Sequence, residues 1–308
     1  MLMSSKWNRF AHLLLKARAK GVLLAPLSAA EDLTLDAAYE IAKCILDTRI
    51  AQGETPVGRK IGFRGPKRQS TGDSVAALNG PISAATSTPI STSLSTPLST
   101  PVSTPLSTPV WAPLFDSTVH YATDNVALHS LMKAQQPCIT PELVFKLRRT
   151  PDPDCTIEEL ADALEWIAHG FEITVSPFPD WQFEAADAVA AFGLHRALII
   201  GEPRMLSTHT RRNLGEVLAC ASVSLSRSDQ GSTVLCAAGF GSDAIDSPLH
   251  ALWHLHQHLQ QQSRFKPLQA GELITTGSWT HAQPVKRGEI WSSAFSQIGL
   301  QGLNLSLS

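Results

Sequence analysis

Two stretches of alternating hydrophobicity each carry one glutamate, and carboxylates held on neighbouring strands are a recurrent way of gripping a hard cation. In Ile139-Thr140-Pro141-Glu142-Leu143-Val144-Phe145-Lys146-Leu147, a period of two places Ile139, Leu143, Phe145 and Leu147 on one face and Thr140, Glu142 and Lys146 on the other. Thirty positions further on, Phe171-Glu172-Ile173-Thr174-Val175 repeats the pattern, with Glu172 opposed to Phe171, Ile173 and Val175. Two carboxylates borne on rigid strands would suit Mg²⁺ or Mn²⁺, which prefer oxygen ligands and keep positions open for substrate. Periodicity alone is better described by two glutamates on an ordinary solvated sheet face.

The elements that would position these residues follow from the same patterns. Residues 34 to 52 read as an amphipathic helix, with Leu35, Ala38, Ile41, Ala42 and Ile45 at helical spacing, Thr34 as N-cap and Gly53 just past the end. With the apolar segment at 10 to 25, it predicts a helical N-terminal lobe over 1–56. From Val57 the texture changes to strand-like runs at 59–63, 139–147, 171–175, 197–200, 219–225, 233–238, 273–276 and 303–307. Helical patterns interrupt them at 157–168 and 249–261. The order predicts an α+β fold whose second part, 57–308, is a curled, mostly antiparallel β core. Ser87 to Val110 is six consecutive tetrapeptides of the form Ser-Thr-x-aliphatic, with Pro at x in all but one unit. Regular proline removes backbone donors and fixes φ, so this segment reads as an insertion within the β-rich part.

Composition removes whole classes of function. A chain of 308 residues with 43% hydrophobic and 17% charged residues can bury a substantial core, and a formal net charge of -2 provides no field for nucleic acid or an anionic membrane. Cysteines at 44, 138, 155, 220 and 236 form neither a disulfide framework nor a Cys-x-x-Cys site, which points to a reducing cytoplasm. The apolar run at Leu13 to Leu15 is broken by Lys16, Arg18 and Lys20 and is too short for a secretory signal or a membrane span. His250, His254 and His258 recur on one helical face, but among apolar packing residues and without an acid inside the run. Gly239-Phe240-Gly241-Ser242-Asp243-Ala244 imitates a dinucleotide fingerprint too late in the chain, and no nucleophile elbow or phosphate loop occurs.

A set of short phrases in fixed order adds a family resemblance. Gly58-Arg59-Lys60-Ile61-Gly62-Phe63, Trp111-Ala112-Pro113-Leu114-Phe115-Asp116, Thr140-Pro141-Glu142-Leu143-Val144-Phe145 and Ala168-His169-Gly170-Phe171-Glu172-Ile173 are the first four. Asp180-Trp181 with Ala186-Asp187, Gly193-Leu194-His195 and Ala270-Gly271-Glu272-Leu273-Ile274-Thr275-Thr276-Gly277-Ser278 complete it. From about residue 35 onward the chain resembles the fumarylacetoacetate hydrolase-like superfamily, on its 2-oxopent-4-enoate hydratase and 2-oxo-acid decarboxylase branch. The resemblance implies a cytoplasmic, homo-oligomeric lyase that uses Mg²⁺ or Mn²⁺ on a small 2-oxo acid, as in aromatic-compound degradation. A carbon–carbon hydrolase on an acylpyruvate, with His195 as a candidate base, and a catalytically impaired binding scaffold are the alternatives.

Carried over residue by residue, the resemblance makes Glu142 and Glu172 metal ligands. The family's first glutamate falls on Thr140, where a hydroxyl replaces a full charge and would weaken the cation's hold. Lys60 matches the pocket lysine, expected to move a proton or pair with the substrate carboxylate. Thr276, Gly277 and Ser278 match a small polar turn facing substrate oxygens. Gln182 stands where relatives commonly show a lysine.

Overall fold

The structure is a computed structural model that describes residues 2–62, 110–229, 231–243 and 246–308. The Ser-Thr-Pro repeat, except Val110, lies outside the described residues. Two helices come first, α1 (Leu2–Lys20) and α2 (Leu35–Ala51), before β1 (Pro56–Gly62). Thr34 caps α2 by accepting a hydrogen bond from the Ala37 N–H at 3.2 Å, and Ala38, Ile41, Ala42 and Ile45 are buried as the periodicity requires.

The middle of the chain supplies β2 (Val110–Phe115), β3 (Val119–Tyr121), β4 (Val126–His129), β5 (Cys138–Leu147), α3 (Ile157–Asp162), β6 (Leu164–Thr174), α4 (Ala185–Ala190), β7 (His195–Ile200) and β8 (Arg204–Met205). After them come α5 (Thr208–Arg212), α6 (Leu214–Cys220), β9 (Ser222–Asp229), β10 (Ser232–Phe240), α7 (Pro248–Gln260), β11 (Leu273–Ser278), β12 (Gln283–Pro284), β13 (Ile290–Phe295) and β14 (Asn304–Leu307).

A large sheet runs β2-β1-β11-β5-β6-β7-β3, with β12 and β8 attached to β5 and β6, and a second sheet runs β10-β9-β13-β14-β4. Most pairings are antiparallel; β1–β11, β3–β7 and β4–β14 are parallel. One face of the large sheet, through Ile139, Phe171, Ile173 and Ile199, packs against Leu225, Trp291, Leu305 and Leu307 of the second sheet. The other face curls inward around Leu114, Val144, Ala168, Leu198 and Ile200. Helices α1, α2, α4 and α7 share a core with Leu143, Phe145 and Leu147. An α+β architecture with a curled, mostly antiparallel core is therefore what forms.

Two boundaries differ from the sequence pattern. The helix predicted at 157–168 ends at Asp162, and Leu164 starts β6, because the following residues are taken up by pairing with β5 from Leu147↔Leu164 onward. The strand predicted at 219–225 begins inside α6 and becomes extended only at Ser222. All five cysteines are free. Among the described residues no helix is long and apolar enough to cross a membrane.

Candidate active site

Strand pairing fixes which side chains meet. Thr140 lies directly opposite Glu172 across β5 and β6, and Glu142 lies opposite Gly170, so Thr140, Glu142 and Glu172 share the inward face. Gly170 lets the Val144 and Leu198 side chains pack over it: a Cβ there would come within 2.9 Å of the Val144 side chain. Lys60 on β1 is in register with Thr275 on β11, which is in register with Val144 on β5. Three inter-strand spacings separate β1 from β6, about 14 Å in a flat sheet. The Lys60 Nζ nevertheless donates to Glu172 Oε2 at 2.7 Å. Only the curl of the sheet closes that gap.

A fifth residue arrives through a β-bulge. The β6–β7 register passes from Ile173↔Ala197 to Thr174↔His195, which turns His195 onto the carboxylate face. His195 Nδ1 lies 2.7 Å from Glu172 Oε1 and Nε2 lies 3.1 Å from Thr118 Oγ1. Burial lowers the imidazole pKa to about 4, despite the opposing pull of Glu172, so the ring is neutral at pH 7. Burial alone would raise the Glu172 pKa, but the Lys60 charge and the His195 hydrogen bond hold it at about 2. An ionised Glu172 requires the proton on His195 Nδ1, while the Thr118 hydroxyl beside Nε2 donates to the Phe115 carbonyl at 3.0 Å.

Glu142 behaves in the opposite way. Burial, followed by the charge of Glu172, raises its pKa well above the ordinary carboxylate range, which favours its protonated form. Glu142 Oε2 is buried without a hydrogen-bond partner. The Thr140 hydroxyl is likewise buried without a partner. Unpartnered hard oxygens beside a second carboxylate are the donor chemistry that Mg²⁺ takes. These residues fit a divalent cation with two carboxylates and one neutral oxygen, although both Glu172 oxygens already bond to Lys60 and His195. No group of three or more His, Cys, Asp or Glu placed for a metal occurs among the described residues.

The remaining expected residues lie nearby in different roles. Thr276 is buried and its hydroxyl donates to the Leu143 carbonyl at 3.4 Å, whereas Ser278, opposite Glu142, donates to the Thr280 carbonyl at 2.8 Å. Gly277 lies at φ +85° where the β11–β5 register slips. Gln182 is exposed and bonds the Asp180 carbonyl. Asp187 is structural: it accepts from the backbone and hydroxyl of Ser28 at 3.0 and 2.5 Å and from the Glu184 N–H at 3.0 Å, tying α4 to the segment before α2. His250 bonds Ser247 at the start of α7, and His258 lies against Tyr39.

Phe192, Gly193 and Leu194 all have positive φ, forming a tight turn over Lys60. A Cβ on Gly193 would lie 2.8 Å from the Ala112 Cβ and 3.4 Å from the Lys60 Cδ. The Gly193-Leu194-His195 phrase thus carries both the close approach and the imidazole. A bulge is invisible in a pattern of period two, so the sequence offers His195 only as a candidate base of the alternative hydrolase, and Thr118 carries no sequence signal.

No protein-family model matches the chain. It is 26% identical to a 2-keto-4-pentenoate hydratase of Paraburkholderia xenovorans over 94% of its own length and 91% of the relative's. A 2-hydroxyhexa-2,4-dienoate hydratase of Comamonas testosteroni is 28% identical over 53% of this chain and 58% of that one. Among solved structures, 4-oxalocrotonate decarboxylase from Pseudomonas putida G7, complexed with magnesium and adipate, superposes with a TM-score of 0.75. That superposition covers 99% of this chain and 98% of the other at 18% identity, a likeness of fold.

Proposed function

We propose that the chain is a member of the fumarylacetoacetate hydrolase-like superfamily and a divalent-cation-dependent hydratase or decarboxylase of a small 2-oxo acid, of the kind used in aromatic-compound degradation. The observation that carries this reading is the convergence of Glu142, Glu172 and Lys60, drawn from three strands, in one buried cluster. Similarity to named hydratases over nearly the whole chain supports the reaction class.

Glu142, Glu172 and, more weakly, Thr140 would hold the cation. When bound it would polarise the 2-oxo carbonyl and stabilise the enolate common to hydration and decarboxylation. The chain's own groups supply the rest. His195 and Lys60 keep Glu172 anionic and fix its two oxygens. Lys60 presents an ammonium group beside that carboxylate, suited to pairing with the carboxylate of the substrate or passing a proton to its carbon chain. The closed packing around Lys60, which is 5% exposed, excludes bulk water from the reacting centre. Thr276, Gly277 and Ser278 line the adjoining end of β11 as the substrate turn.

The test combines calorimetric titration with Mg²⁺ and turnover of 2-hydroxypenta-2,4-dienoate. Measurable binding together with activity is the expected result. Thr140→Glu, which restores a third carboxylate, is expected to tighten Mg²⁺ binding at least about tenfold, since ligand charge tunes such sites. Neither binding nor turnover in the wild-type chain or in Thr140→Glu would refute the enzyme reading in favour of a binding scaffold.

A further inference from the structure

His195 enters the site because one extra residue breaks the β6–β7 ladder, and that irregular backbone has to be held. Arg196 is the inserted residue: Ile173 pairs with Ala197 and Thr174 with His195, which leaves it unmatched. On the other edge of β7, pairing with β3 begins only at Leu198. The backbone polar groups of the bulge therefore sit where the flanking ladders are irregular, and they need partners from elsewhere. Arg18 of α1 supplies them. Its Nη1 donates to the His195 carbonyl, and its Nη2 lies 3.4 Å from the Arg196 carbonyl, which accepts from it. A guanidinium offers its donors in a fixed planar fork, the geometry that two successive carbonyls call for.

The same arginine, with a second one from α2, also holds what surrounds the imidazole. Arg18 Cζ lies 4.7 Å from the ring centre of Phe192, the first residue of the tight turn that leads into His195. Arg49 of α2 lies 5.7 Å from that ring and 3.7 Å from the ring of Phe115. The Phe115 carbonyl accepts from the Thr118 hydroxyl that stands beside His195 Nε2. Arg49 Nη2 donates to Glu54 Oε2 at 2.6 Å, and the same oxygen accepts from the hydroxyl of Ser117, the neighbour of Thr118. Two helices of the N-terminal lobe thus grip the backbone that carries the imidazole and the turn that its far nitrogen touches.

We propose that Arg18 is a positioning residue of the site: it fixes the bulge that aims His195 Nδ1 at Glu172, so that α1 sets the geometry of the carboxylate cluster. The inference rests on the place given to Glu172 in the proposed reaction. Without the fork, two carbonyls lose a charge-assisted donor and the peptide between them turns toward other partners. The imidazole is carried with it, and the 2.7 Å contact to Glu172 Oε1 lengthens. Packing of α1 is a separate matter, because Ala11, Leu14 and Ala17 bury its apolar face. The polar grip and the packing can therefore be removed one at a time.

Low-field proton NMR of the full chain reads this directly. A buried imidazole N–H donated to a carboxylate at 2.7 Å gives a strongly deshielded, slowly exchanging resonance, assigned by its loss in His195→Gln. Arg18→Met keeps the stem and removes the fork, and should shift that resonance upfield or abolish it. Leu14→Ala empties the packing face of the same helix; it should lower the thermal midpoint at least as far and leave the resonance in place. Arg18→Lys keeps the charge on a single ammonium point and should shift the resonance part of the way, and it carries the test where Arg18→Met does not fold. An unmoved resonance in Arg18→Met, or in Arg18→Lys where that alone folds, overturns the proposal. An equal change in Leu14→Ala does so too, since the lobe would then act only through packing. A wild-type chain without a resonance that His195→Gln removes overturns it at the outset. Neither metal nor turnover enters the measurement, so its failure is distinct from failure of the proposed reaction.

Discussion

Replacing Lys60 by methionine keeps most of the apolar stem and removes the charge that holds Glu172 ionised. At 2.7 Å between Nζ and Oε2, and with an effective dielectric of about 20, the attraction is roughly 6 kcal/mol before desolvation is subtracted. Both side chains are almost wholly buried, at 6% and 2% exposure, so neither can recover its hydration when the other is lost. Breaking such a pair from one side costs about 3–5 kcal/mol, because a buried charge is left uncompensated. Lys60→Met should therefore destabilise the fold by that amount, and Glu172→Gln by a similar one. The double variant removes both charges, and the His195 N–H can still donate to the amide oxygen introduced at position 172, so most of the loss should return. Urea unfolding of the four proteins at pH 7 measures the cycle. A coupling energy below about 1 kcal/mol, or a Lys60→Met cost that small, would refute the picture of one tightly coupled ion pair at the centre of the site.

Gly193→Ala forces a left-handed backbone on alanine and a 2.8 Å approach to Ala112; about 1–3 kcal/mol of stability should be lost in thermal unfolding, with a larger proportional loss of turnover as Lys60 shifts. His169 is buried with its pKa lowered by burial to about 3. The unfolded chain therefore takes up a proton below about pH 6.5 that the folded chain refuses, and this residue alone should remove roughly 3 kcal/mol of stability between pH 7 and pH 4. Thermal midpoints across that range should fall less steeply in His169→Asn; equal slopes would show that other groups control the acid limb. Gly62 and Val110 are directly paired, so both ends of the 63–109 segment are held by the sheet. Since closure entropy varies only with the logarithm of loop length, deleting residues 87–109 should alter stability by less than about 1 kcal/mol in denaturant unfolding.

What was legible in the sequence was whatever depends on neighbours along the chain. The period of two located β5 and part of β6 and put Glu142 and Glu172 on the same side of each strand, because alternation is a local property of extended backbone. It could not extend β6 back to Leu164, where pairing with β5 overrides a helical pattern. Nor could it weigh Lys60, whose contact with Glu172 depends on the curvature of four adjacent strands, or His195, which one irregular pairing rotates into the site. Periodicity fails for both residues for one physical reason. The inward face must bring a carboxylate, a lysine and an imidazole together, whereas regular pleating would hold the lysine three spacings from the carboxylate and turn the imidazole to the opposite face. Curl and bulge are the departures from regularity that concentrate the charges, so the residues hardest to foresee are the ones that set the ionisation of Glu172 and, through it, of Glu142.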